Sequence, residues 1–119
     1  MDRFKVIIAG GRNFGKYDLM KKWCDHYLSK QKKDIEIVSG TARGADQLGE
    51  KYAQEKGYSI KRFPADWLGN DKSAGYIRNK QMAEYADALI AFWDKKSKGT
   101  KHMIDLARKE GLQVKVVKY

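Results

Sequence analysis

Short apolar runs and helical stretches alternate along this chain of 119 residues. Five β-rich runs occupy residues 4–10, 35–40, 58–63, 87–93 and 112–118, with stretches of helical spacing between them. Strict alternation favours a parallel sheet, since right-handed crossovers between parallel strands place helices on both of its faces. The sequence therefore predicts an α/β protein with a layered, all-parallel sheet.

The composition of the runs predicts the order of the layers. "VIIAG" and "ALIAFW" are continuously apolar, as expected of central strands buried on both faces, whereas "LQVKVVK" alternates like an edge strand. Helices are predicted around Met20–Leu28 and at about Ala45–Lys56, Ser73–Ala86 and Gly99–Lys109. Together these features predict a single domain, residues 1–119, folded as a Rossmann-like three-layer sandwich with a five-stranded parallel sheet in the order 3-2-1-4-5.

Charge and composition narrow the class of protein. A net charge of +10 attracts phosphate-bearing ligands, although a merely solvated basic surface explains it equally well. No apolar run approaches the ~20 residues of a membrane helix, and the first residues do not resemble a signal peptide, so we expect a cytoplasmic protein without membrane contact. Cys24 lies on an apolar helix face, and His26 and His102 have no neighbours at ligand spacing, so we expect neither a metal nor a cofactor.

The loops that follow the predicted strands carry the candidate site. "GGRNFG", "SGTARGAD", "PADWLGNDKSAGYIRN" and "DKKSKGT" all follow strands and should open on one rim of the sheet, where Rossmann-like folds bind ligands. Glycines, arginines, hydroxyls and a helix amino terminus on one rim predict a phosphate-binding site. The predicted ligand-binding residues are Gly10, Gly11, Arg12, Phe14, Ser39, Gly40, Ala42, Arg43, Gly44, Asp46, Trp67, Arg78, Asn79, Ser97, Gly99 and Thr100.

Individual residues of this rim have competing interpretations. Arg43 and Gly44 are expected to contact a phosphate, so valine at Gly44 should block the ligand while sparing the fold. Asp46 can bond ribose hydroxyls or simply stabilise the start of a helix. Trp67 and Trp93 can stack on a base or ribose, or cap a hydrophobic edge.

Several motifs together indicate a family. "GGRNF", "VSGTARGADQLGEKYAQEKG", "FPADW", "AGYIRNKQMAEYADALIAFWD" and "SKGTKHMIDLAR" span nearly the whole chain. Their combination resembles the YspA-like family of the SLOG superfamily, Rossmann-like domains of bacteria and their phages. The resemblance implies a ligand derived from a nucleotide, such as an ADP-ribose-like signal, and leaves homo-oligomerisation open.

One relative of that family suggests an enzyme. Arg78, the run "DALIA" and the Gly-Thr turn at residues 99–100 fit a pattern of the Lonely Guy phosphoribohydrolases, which cut the N-glycosidic bond of nucleoside monophosphates. Those enzymes place a glutamate three residues after the threonine, where this chain has Met103, and a thioether cannot act as a base. Asp105, two residues further along the helix than Met103, would point about 200° around it, so it is a poor substitute.

A second relative, DNA-processing protein A, suggests single-stranded DNA as the partner. It has a turn like "SGTARGAD", and the charge of +10 suits nucleic acid. Single-strand binders combine a basic groove with several exposed aromatic residues, however, and in the sequence only Trp67 is predicted to be free for stacking. We therefore expect a protein that senses or sequesters a small nucleotide-type ligand, with N-glycosidic hydrolysis and binding of single-stranded DNA as the alternatives.

Overall fold

The computed structural model describes residues 3–66 and 73–119. The strands are β1 (Arg3–Gly10), β2 (Asp34–Ser39), β3 (Ser59–Arg62), β4 (Ala88–Trp93) and β5 (Gln113–Lys118). The helices in the described ranges are α1 (Tyr17–Leu28), α2 (Ala45–Lys56), α3 (Ala74–Tyr85) and α4 (Lys98–Lys109). The helix and strand boundaries lie close to those predicted from periodicity, and α2 ends as predicted at Gly57, whose φ of +75° is left-handed.

The strands form one five-stranded sheet in the order β3-β2-β1-β4-β5, and every pairing is parallel. The predicted fold class and strand order are therefore confirmed. From β1 the chain adds β2 and β3 toward one edge of the sheet, and it then returns to add β4 and β5 on the other side of β1. β1 and β4 are therefore neighbours, with Gly10 paired to Phe92. The carboxyl ends of β1 and β4 lie side by side where the direction of strand order reverses, which is where ligands bind in such sheets.

Two cores form on opposite faces of the sheet because successive residues of a strand point to opposite sides. Val6 and Ile8 pack with α1 and α2, whereas Ile7 and Ala9 pack with α3 and α4. This arrangement confirms the three layers. Cys24 belongs to the first core and is fully buried, and burial raises the pKa of its thiol to about 12.

The edge strand β5 differs from the central strand β4 as the sequence predicts. Burial alternates along β5, whereas residues 88–92 of β4 are all buried.

None of the helices in residues 3–66 and 73–119 is both long enough and apolar enough to cross a membrane.

Candidate functional site

A cleft of about 500 Å³ opens at the carboxyl ends of β1 and β4. The loops after these strands form its floor, and residues of α3 and α4 form one wall. Many of the residues predicted from the sequence line this cleft, namely Gly10, Gly11, Arg12, Ala42, Asp46, Arg78, Asn79, Ser97, Gly99 and Thr100. The fold therefore brings together side chains from four separate segments of the chain.

A second cavity, of about 560 Å³, adjoins the cleft. The predicted residues Gly40 and Arg43 line it, together with Arg12, Ala42 and Arg78, which also line the cleft. Arg12 and Arg78 therefore lie on the border between the cleft and the second cavity.

Arg78 is held in place by its neighbours. Its Nη1 donates a hydrogen bond to the carbonyl of Gly40, and its Nε donates to Asn79 Oδ1 at 3.0 Å. Burial lowers the pKa of Arg78, Asp46 opposes this effect, and the positive charge of Arg12 adds to it. Two guanidinium groups that repel each other at one opening favour an anion placed between them.

Asp46 is a buried carboxylate next to this pair, with 7% of its surface exposed. Its Oδ2 accepts a hydrogen bond from the backbone N–H of Ala42 at 3.2 Å. Burial raises the pKa of Asp46 to about 6, although Arg78 and the Ala42 N–H favour the charged form. At Gly40 a Cβ would lie 2.7 Å from Asp46 Oδ2 and 2.8 Å from Arg78 Nη1, so a side chain at this position would displace both groups from their present places.

The amino terminus of α4 also lines the cleft. Ser97 Oγ caps the helix by accepting the N–H of Thr100 at 3.3 Å, and the two hydroxyls lie 2.9 Å apart. Asp94 Oδ1 accepts the N–H groups of Lys96 at 2.8 Å and Ser97 at 2.9 Å, and these bonds lower the pKa of Asp94. The turn before α4 is thus fixed by its own hydrogen bonds.

Two residues predicted to contact a ligand lie inside the fold instead. Phe14 is 3% exposed and packs against Phe92, with ring centroids 5.1 Å apart. Ser39 is 1% exposed, donates to Glu50 Oε2 at 2.6 Å and accepts the N–H of Thr41 at 3.0 Å. Phe14 therefore supports the floor of the site, and Ser39 shapes the loop after β2.

Gly44 is also needed for the fold itself. Its φ is +81°, and a Cβ there would lie 2.4 Å from the carbonyl oxygen of Gly11 and 2.5 Å from that of Arg12. The N–H of Ala45 donates to the same Gly11 oxygen at 3.2 Å. Glycine is needed here because two backbone loops meet, so the expectation that valine at Gly44 would spare the fold is wrong.

The aromatic residues of the site were predicted only in part. Trp67 lies outside the described residues, and the Trp93 indole N–H donates to the carbonyl of Ser97 at 3.1 Å. Tyr76 and Tyr119, which the sequence analysis missed, both line the cleft and are 49% and 37% exposed. Tyr119 follows β5, so the rule that ligands meet the carboxyl ends of parallel strands could have identified it.

Met103 lies in the cleft at the position where the phosphoribohydrolases resembled by this chain have glutamate. It is 1% exposed, whereas Asp105 points outward and pairs with Lys101 at 2.8 Å. Within residues 3–66 and 73–119, no group of three or more His, Cys, Asp or Glu side chains could hold a metal ion. Asp46 and Asp94 are the carboxylates among the described residues that line the cleft.

The fold and cleft together define a Rossmann-like domain with a basic cleft at the carboxyl end of its sheet. Residues 4–69 match the YspA, cpYpsA-related SLOG family, and the chain belongs to this family. The Gene 61 protein of Mycobacterium phage D29 is 30% identical over 116 residues, covering 92% of this chain and 93% of the phage protein.

Solved structures of DNA processing protein A share the fold. The protein from Streptococcus pneumoniae superposes with a TM-score of 0.76 at 20% identity, over 98% of this chain and 50% of that one. The protein from Helicobacter pylori, solved for its single-stranded DNA binding mode, gives a TM-score of 0.66 at 22% identity, over 98% of this chain and 66% of that one. This chain therefore spans about half the length of the Streptococcus protein.

Proposed function

We propose that this protein binds a small nucleotide-derived ligand, as a sensor of that ligand or a protein that sequesters it. The observation that carries the proposal is the position of Arg12 and Arg78 at the shared border of the cleft and the second cavity. A phosphate placed there would relieve the repulsion between the two guanidinium groups and accept several charge-assisted hydrogen bonds.

The shape and composition of the cleft support the same ligand class. Its volume of about 500 Å³ falls within the usual ~300–1,000 Å³ range of small-molecule sites. Glycine at position 11 allows close approach to the backbone, and Tyr76 and Tyr119 offer apolar surfaces for a base or sugar. An ADP-ribose-like molecule, with phosphates between two sugars, could extend from the cleft into the second cavity.

Replacing Arg12 by glutamine tests the proposal. Because a hydrogen bond to a charged group is typically worth about 1.5–3 kcal/mol, we expect affinity for AMP or ADP-ribose to fall about 10- to 100-fold. Arg12 is exposed, so the fold should be unaffected. Isothermal titration calorimetry measures the loss, and native mass spectrometry of the purified protein would show whether a nucleotide co-purifies.

Lys80→Gln is the matched control for Arg12→Gln. It removes the same charge from an exposed position of α3 that does not contribute to either described cavity. We expect its effect to be below about twofold, because exposed charges are screened by salt. Equal losses for the two variants would contradict a specific phosphate site at Arg12.

We expect no efficient hydrolysis of nucleoside monophosphates. Cleavage of an N-glycosidic bond needs acid or base assistance, typically worth ~100- to 10,000-fold in rate, and Met103 supplies neither. Chromatography of AMP incubated with the protein should therefore show no free adenine above background, and Met103→Glu should gain at most a trace. Rapid turnover that disappears in Asp46→Asn would mean that Asp46 has taken over this role.

Single-stranded DNA is the second candidate ligand. Tyr76 and Tyr119 are exposed aromatic residues beside a basic cleft, and this combination is found where single strands stack on proteins. We expect weak, salt-sensitive binding without sequence preference, because the positive charge is distributed along the whole chain. In a fluorescence-anisotropy titration, submicromolar affinity at about 200 mM salt would favour DNA over a small ligand, since nonspecific contacts are far weaker there.

A further inference from the structure

Tyr119 follows β5 and lies beside the cleft at the carboxyl ends of β1 and β4. Its backbone N–H donates to the carbonyl of Trp93 at 3.2 Å, so the residue continues β5 beyond the carboxyl end of the sheet. Tyr119 lines the cleft, and 37% of the surface of the residue is exposed. A ring in this position offers surface to whatever occupies the cleft.

The core holds the Tyr119 ring in place. The ring meets Phe14 edge-on, with centroids 4.9 Å apart and planes at 68°, and Phe14 in turn packs against Phe92. A chain of aromatic contacts therefore runs from the buried end of β4 to the cleft. Because these contacts fix the ring before any ligand binds, stacking on it costs little ordering of the side chain.

Gly11 and Lys16 are further neighbours of the Tyr119 side chain. A Cβ at Gly11 would lie 3.3 Å from the tyrosine hydroxyl, so a side chain at this position would crowd the hydroxyl. Lys16 Nζ lies over the ring, 5.5 Å from its centroid, and Lys16 is not among the described residues that line the cleft. The basic groups assigned above to phosphate, Arg12 and Arg78, belong to other elements of the cleft.

We propose that Tyr119 is a specificity-determining residue, on which the base of the bound nucleotide stacks while its phosphate lies at Arg12 and Arg78. This inference rests on the proposed function and adds an orientation for the ligand. It also explains how the site would distinguish a nucleotide from a sugar phosphate, which presents the same anion without an aromatic ring.

Tyr76 is the competing position for the base. Its ring lies against that of His102, with centroids 4.3 Å apart, on the wall formed by α3 and α4. It is 49% exposed, and its ring packs against His102, whereas the ring of Tyr119 packs against Phe14, which contacts Phe92 in the core. We therefore assign the base to Tyr119, because the contact with Phe14 holds its ring in place.

The test compares AMP with ribose 5-phosphate, which lacks only the base. Replacing an aromatic side chain that stacks on a base by alanine typically weakens binding by roughly 5- to 100-fold. Tyr119→Ala should therefore weaken AMP binding by that factor. Affinity for ribose 5-phosphate should change by less than about twofold, because that ligand makes no stacking contact. Calorimetry measures both, and thermal unfolding of each variant shows whether its fold is intact.

Two further variants separate stacking from other roles of Tyr119. Tyr119→Phe keeps the ring and its packing on Phe14, so it should retain most of the affinity for AMP. A base-dependent loss in Tyr76→Ala, with Tyr119→Ala unchanged, would overturn the proposal, as would an equal loss for both ligands in Tyr119→Ala. If the unmodified protein bound ribose 5-phosphate and AMP equally, only the stacking would be refuted; if it bound no phosphate ligand at all, the proposed function would fail as well.

Discussion

Alanine at Gly44 should destabilise the fold by about 3 kcal/mol or more, because it combines two unfavourable effects. The backbone at Gly44 has φ of +81°, which residues with a Cβ rarely adopt. The added carbon would also lie 2.4–2.6 Å from backbone atoms of Gly11 and Arg12, which belong to the loop after β1 and cannot rotate away. Urea unfolding followed by circular dichroism measures the loss of stability.

Gly57→Ala is a matched control for this prediction. Gly57 ends the same helix with φ of +75°, but a Cβ there would meet no atom within 4 Å. Gly57→Ala should therefore lower the free energy of unfolding by only about 1–2 kcal/mol, the cost of a left-handed backbone conformation for a residue with a Cβ. If the two variants lost the same stability, the contact between the loops after β1 and β2 would have no energetic role.

Asp46→Asn should change the pH dependence of stability. Burial raises the pKa of Asp46 to about 6 in the folded protein, above its ordinary value of 3.8. Folding is therefore most favourable while this carboxyl is neutral. The contribution of the neutral Asp46 carboxyl to the stability of the fold is lost as the pH rises through about 6. Asparagine cannot ionise, so the stability of the variant relative to the unmodified protein should rise by about 2 kcal/mol between about pH 4 and pH 7.5.

The comparison at two pH values isolates the ionisation of Asp46. Arg78 stays charged throughout this range, and its attraction for the ionised carboxylate is already part of the pKa of Asp46, so the difference between the two pH values reports the ionisation of Asp46. Asp105→Asn is the control, because Asp105 is exposed and its pKa is lowered by its bond to Lys101. It should show little pH dependence, and of the opposite sign; a flat difference for Asp46→Asn would show that its pKa is ordinary.

Much of the fold could be predicted because its signals are local. The run "VIIAG" is apolar at every position, which is sufficient to indicate a strand buried on both faces, and Gly57 marks the end of α2. Alternation with helices then forces parallel pairing and places the loops after the strands on one rim. This is why Arg12, Arg78, Gly99 and their neighbours could be predicted to share a site, and why the structure places them along one cleft.

The sequence by itself thus determined the class of fold, the order of the strands and the rim that carries the candidate site. Tertiary structure alone decided which rim residues face the cleft. Phe14 turns into the core and Tyr119 lines the cleft, although both are aromatic residues in loops or at strand ends. Gly44 meets Gly11, and Arg78 binds the carbonyl of Gly40, 38 positions away. Periodicity records the burial of each residue along its own helix or strand, whereas these contacts depend on how segments distant in the chain pack together.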